Sequence, residues 1–219
     1  MKVRTWLDTI TDESNQWLNA VRMEDSGDFF HAPAVYLDDA LQCMKTGSLA
    51  RAAISCSSAA SCLARLGDFE DALLLYAETA SIYEENANLN AKRSIRESSW
   101  SLLHSFEYFI LVSDEPNAQR IAKKYVELSI RADQFDGKDK ALNTLGMRRE
   151  RVQEARMELE RGRRSVRNDN RMFFAKAVDD FLNNSRRPSE ITSSGMKAAV
   201  VDSISRRRDN FRFEGSIGS

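Results

Sequence analysis

Residues that break helices are scarce in this chain. Its 219 residues include only 3 prolines and 9 glycines. That is too few to punctuate a fold of many short strands, and the shortage favours long helices. Histidine is rarer still, with only His31 and His104, in different helical units. Metal sites and Ser-His or Cys-His nucleophile systems draw heavily on histidine, so both are read as packing or solvent-facing side chains. No Gly-rich phosphate loop, H-E-x-x-H or G-x-S-x-G occurs. Cys43, Cys56 and Cys62 form no C-x-x-C pair, and an odd number makes a poor disulfide framework. They read as small buried hydrophobes in a reducing compartment. No apolar run approaches a membrane span, and none follows the N-terminal charges as a leader would. Together these absences predict a soluble, cytoplasmic, non-catalytic protein with no cofactor and no metal.

Hydrophobic residues make up 42% and charged residues 30% of the chain. This suits one core-bearing domain, or one domain with an appendage, under a charged surface. The net charge of −1 is unevenly spread. Residues 1–147 hold 15 Lys and Arg against 22 Asp and Glu, a net of −7, and residues 148–219 hold 17 against 11, a net of +6. An acidic body with a basic C-terminal third implies separate partners, or contact between the two.

Trp6, Leu7, Ile10, Trp17, Leu18 and Val21 lie on one face of a helix over 4–23. Pro33 suits the first turn of the next helix. Two stretches then align at a spacing of 20 residues. Gly47-Ser48-Leu49 matches Gly67-Asp68-Phe69, with Ala40 and Cys43 matching Ala60 and Leu63, and Ala52, Cys56 and Ala59 matching Ala72, Tyr76 and Thr79. The pattern predicts helices near 34–46, 49–66 and 69–86. Gly47 and Gly67 end one helix in a left-handed conformation, and Ser48 and Asp68 cap the next. Such periodicity marks a helical array. Further helices are predicted over 90–112 and 116–132, the second with Ile121, Tyr125, Leu128 and Ala132 facing inward. The break between them falls at Ser113-Asp114-Glu115-Pro116, and DQFDGKDK is a turn.

The run Ala60-x-x-Leu63-x-x-x-Gly67-Asp68-Phe69-x-x-Ala72-x-x-x-Tyr76 resembles the core of a tetratricopeptide repeat. The rhythm Ala72-x-x-x-Tyr76-x-x-x-Ala80-x-x-Tyr83 and the long helices are similar to the arrays of the soluble NSF attachment proteins. The resemblance is best over 34–86. It implies a right-handed stack of antiparallel hairpins with ligands on the inner face of the first helix of each pair. On 49–66 that face would hold Ile54, Ser57, Ser61 and Arg65, which do not make the Lys/Asn clamp for a peptide carboxylate.

Tyr76, Tyr83, Trp100, Phe106 and Phe109 recur at helical spacing and read as core. Asp38-Asp39 and Glu84-Glu85 are neighbours about 100° apart on a helix, so they read as solvated faces rather than paired catalytic carboxylates. Beyond 137 the pattern changes. Leu145, Val152, Leu159 and Val166 recur every seven residues on a mostly charged helix, the stripe of a coiled-coil seam or of a helix laid along a groove. Glu160 and Arg164 are spaced to pair. Phe173, Phe174, Ala177, Val178, Phe181 and Leu182 make a short amphipathic helix.

The expected organisation is therefore all-α: a helical stack over 1–137, a long charged helix and a short amphipathic helix over 138–185, and a disordered basic tail over 186–219. The expected function is a protein–protein adaptor that self-associates through 145–166. The alternative is binding of RNA or an anionic surface. Arg161, Arg163, Arg164, Arg167 and Arg171 would then meet phosphate, with Arg206, Arg207, Arg208 and Arg212 around Phe211 and Phe213 in the tail.

Overall fold

The computed structural model describes residues 15–165 and 171–185. Residues 4–14 of the first expected helix and the whole expected tail lie outside them. The described residues are all-α, with no strand among them. They form α1 (Gln16–Asp25), α2 (Ala32–Lys45), α3 (Leu49–Arg65), α4 (Phe69–Asn90), α5 (Ile95–Leu111), α6 (Glu115–Ala132), α7 (Gly137–Ser165) and α8 (Arg171–Ser185). All belong to one compact unit, which ends at Ser185. From α1 to α7 each helix packs chiefly on its sequence neighbours. α7 also packs on α5, and α8 packs on α2 and α4.

One turn recurs. Gly67 has φ +83°, its N–H donates to Ala64 O at 3.1 Å, and Asp68 N–H donates to Leu63 O at 2.9 Å. This paired pattern ends α3 by satisfying its last carbonyls. Gly47 repeats it, with Ser48 N–H on Cys43 O at 2.8 Å, and so does Gly27, with Asp28 N–H on Met23 O at 2.8 Å. The 20-residue spacing thus reaches one turn further back than the sequence match. Between α5 and α6 the same bonds form around Ser113, at φ +65°, with Asp114 N–H on Phe109 O at 2.8 Å. Asp68 and Asp114 cap the helices they start, accepting from Asp71 N and Asn117 N. Ser48 does not, since its side chain makes no cap bond.

Small residues let α3 sit at the centre. Ala52, Ala53, Cys56, Ala59, Ala60, Cys62 and Leu63 are all fully buried. Burial pushes the Cys62 thiol up to about 12 and that of Cys56 higher still, so these cysteines pack as hydrophobes. The buried apolar residues fall into two groups, one around α2–α4 with α8 and one around α4–α7.

α7 ties the groups together. Ala141 and Leu145 are buried in the second group and Val152 packs on it, whereas Leu159 packs on the first. Near its far end Gly162 meets Phe69, where a Cβ would stand 2.8 Å from the ring. Leu145, Val152 and Leu159 of the heptad stripe therefore lie along the chain's own helices, while Val166 is outside the described residues. The stripe's narrowness suits a helix laid in a groove, and the side expected to meet a second copy is occupied in cis. Two inward assignments differ. Ala132 is exposed, because α6 ends there, and Trp100 is 40% exposed while Tyr76, Tyr83, Phe106 and Phe109 are buried.

Candidate functional site

α5 and α7 meet through charge. Glu107, on α5, is only 8% exposed. Its Oε1 accepts from Arg148 Nη1 at 2.7 Å and from Arg151 Nη2 at 2.5 Å, and its Oε2 lies 3.1 Å from His104 Nδ1. Arg148 and Arg151 are three apart on α7 and so share a face. Burial alone would raise the Glu107 carboxyl. The hydrogen bonds and charges of His104 and Arg148 outweigh it and hold the carboxyl at about 2. The adjacent Arg149 grips Glu115, at the start of α6, with both terminal nitrogens, at 2.7 and 3.1 Å, the planar fork that suits a carboxylate. The same guanidinium lies 5.7 Å over the Phe106 ring. Arg156 adds its charge at Glu115, which Arg149 already holds below the usual carboxylate range.

Beside this clasp runs an aromatic ladder. Tyr76 stacks on Tyr108 at 5.6 Å, Tyr108 on Tyr83 at 6.0 Å and Tyr83 on His104 at 5.2 Å, and Trp100 closes the row edge-on to His104 at 4.4 Å. Of the ligand face assigned by the resemblance, Ser57 donates to Ile54 O at 2.8 Å, and Ser57 and Ser61 lower the phenols of Tyr108 and Tyr76 against the larger effect of burial. Of that face Ile54 is 40% exposed, and the Arg65 guanidinium stacks on Phe29 at 4.9 Å.

The acidic pairs are not solvated faces. Asp38 and Glu85 are exposed, but their neighbours turn inward. Asp39, 3% exposed, accepts from Arg51 at 2.7 and 3.3 Å and from Ser55 at 2.6 Å. Glu84 is held by Arg120 and by Lys124 at 2.7 Å. An open recess of about 200 Å3 between α5, α6 and α7 is lined by Ser99, Tyr125, Ser129, Asp133, Lys140 and Thr144. Lys140 is already paired there with Asp133 at 3.0 Å and Asp136 at 3.3 Å. Among the described residues no cluster of His, Cys, Asp and Glu is arranged to hold a metal ion.

The second contact of the C-terminal third is apolar. Phe174, Val178, Phe181 and Leu182 of α8 are buried against α2 and α4, with Phe174 edge-on to Phe30 at 5.2 Å.

The arginines expected to meet phosphate fare differently. Arg161 is exposed on α7. Arg163 and Arg164 belong to α7 and Arg171 begins α8, but their side chains are not described. Glu160 pairs with Arg156 at 3.0 Å. Arg167, Arg206, Arg207, Arg208, Phe211, Arg212 and Phe213 lie outside the described residues. The arginines that hold α7 are Arg148, Arg149 and Arg151, and no motif singled them out. Their one signal was the opposite charge of the body and the C-terminal third.

Comparison with family models, with curated proteins and with solved structures finds no match. The class of protein is thus set by the fold itself: an all-α chain in which, among the described residues, no helix is long and apolar enough to cross a membrane.

Proposed function

We propose that this chain is a non-catalytic protein–protein interaction module, an adaptor built on a tetratricopeptide-like stack and able to self-associate through its C-terminal helix. The recurrent turns at Gly27, Gly47 and Gly67 support the repeat. One observation carries the function: the helical body holds an arginine-bearing amphipathic helix through Glu107 and Glu115. A surface that reads such a helix in cis has the chemistry to read one in trans. Affinity capture with the full chain, with and without nuclease, tests it. Protein partners retained after nuclease treatment support the adaptor. Partners that vanish with nuclease overturn it.

A second reading rests on Arg161, which points to solvent at the start of an arginine run. An RNA or anionic-surface contact there would weaken steeply with salt, because each neutralised phosphate releases counterions. Salt-independent binding, or none, removes it.

A further inference from the structure

We infer that the α7 turns after Met147 together with α8 form an exchangeable strap, and that the face bearing Glu107 on α5 and Glu115 at the start of α6 is a docking surface for the same strap of a second copy. The inference rests on the self-association proposed above and names its surface.

Four observations converge. First, the grip is complementary in charge. An acidic pair on the body meets Arg148, Arg149 and Arg151 on the helix, and a second copy carries an identical set. Second, the seam beyond the clasp is thin. Val152 and Leu159 are only half-buried, and Met157 between them is 53% exposed. The distal turns of α7 are thus held far less than the body helices. Third, Gly146 stands between the last buried anchor, Leu145, and the first clasp residue, Arg148. Glycine weakens a helix interior, and no packing demands it here, since a Cβ would meet nothing within 4 Å. A helix bends or frays most readily at such a point. Fourth, what the strap covers is fit to bind a helix once bare. Beside the carboxylates the strap lies on apolar rings, with the Arg149 guanidinium over Phe106 and Gly162 against Phe69.

Reciprocal exchange costs no contact. The clasp, the Gly162–Phe69 approach and the α8 contacts to α2 and α4 all re-form in trans, and only the path at Gly146 changes. The balance between closed monomer and exchanged dimer is then set by concentration and by the hinge.

Two full-length charge-inverted proteins test this. One carries Glu107→Arg and Glu115→Arg, and the other carries Arg148→Glu, Arg149→Glu and Arg151→Glu. Alone, each faces like charges in cis and in any homodimer. Mixed, each strap meets an opposite face on the other protein. Light scattering on the mixture should show twice the monomer mass, and a mixture that stays at monomer mass overturns the inference. Full-length Glu107→Cys and Arg148→Cys proteins, each needing only one substitution, provide the check if the inverted forms do not fold. Mixed with a short bis-maleimide, they should yield a cross-linked heterodimer, and its absence also counts against exchange. Self-association without this cross-link would leave the adaptor reading standing and place the contact elsewhere.

Discussion

Arg148 on α7 reaches across to Glu107 on α5, Nη1 to Oε1 at 2.7 Å, and so joins the basic third of the chain to its acidic body. The adjacent Arg149 makes a second such pair with Glu115 at the start of α6. The charge asymmetry of the sequence is therefore partly spent inside the molecule.

Loss of the Glu107 charge should loosen α7 in a pH-dependent way. The folded carboxyl is held at about 2 against 4.5 when free. Its contribution is thus full above about pH 4.5 and disappears as pH falls toward 2. Glu107→Gln should lower stability by about 2 kcal/mol at pH 7, since the arginines keep partial solvent access. Thermal melts of the two proteins should converge as pH falls from 4.5 to 2, and a gap that stays constant would refute this.

The recurrent turns make opposite predictions at two sites. Gly67 holds φ +83° and Ser113 holds φ +65°, a region where a Cβ costs roughly 1 kcal/mol. Gly67→Ala should destabilise by about that much, and Ser113→Gly should raise the melting temperature. Denaturant unfolding of both variants against the parent reads the signs directly.

α7 offers a second contrast. Gly146→Ala meets open space and should stabilise by about 1 kcal/mol through helix propensity alone. Gly162→Ala drives a Cβ to 2.8 Å from Phe69, so it should lower stability and speed amide exchange over the last turns of α7. Equal effects at both sites would show that the approach to Phe69 does not constrain the helix.

Phe181, on α8, is 1% exposed. Phe181→Ala should cost about 3 kcal/mol through lost burial and the cavity left behind. Hydrogen exchange should then rise in α8 and on the α2 and α4 faces it covers. Unchanged exchange there would mean that α8 is held by other contacts.

The helices and their turns were legible because their causes are local. A glycine followed by a capping Asp records a backbone conformation that four or five residues decide. Ser113 adopts that conformation with no glycine to announce it, since the cap bonds on either side impose it. The stripe Leu145, Val152, Leu159 was legible as a period, but a seven-residue period does not say whose groove it fills. The clasp was not legible as residues. Glu107 and Arg148 are paired by the return of α7 along α5, which no local pattern encodes. Trp100 illustrates the remaining limit: helical spacing placed it on the correct side of α5, beside Tyr83, without measuring its depth.

The return of α8 to Phe30 also has a consequence for how the protein is made. Helices α1 to α6 contact chiefly their immediate neighbours, so they can form in order as the chain leaves the ribosome. The groove beside Phe30 must wait for Phe174, which is synthesised near the end of the described chain. Until then the nascent protein carries an open apolar slot on an otherwise finished body, and a chain terminated before α8 would keep that slot open.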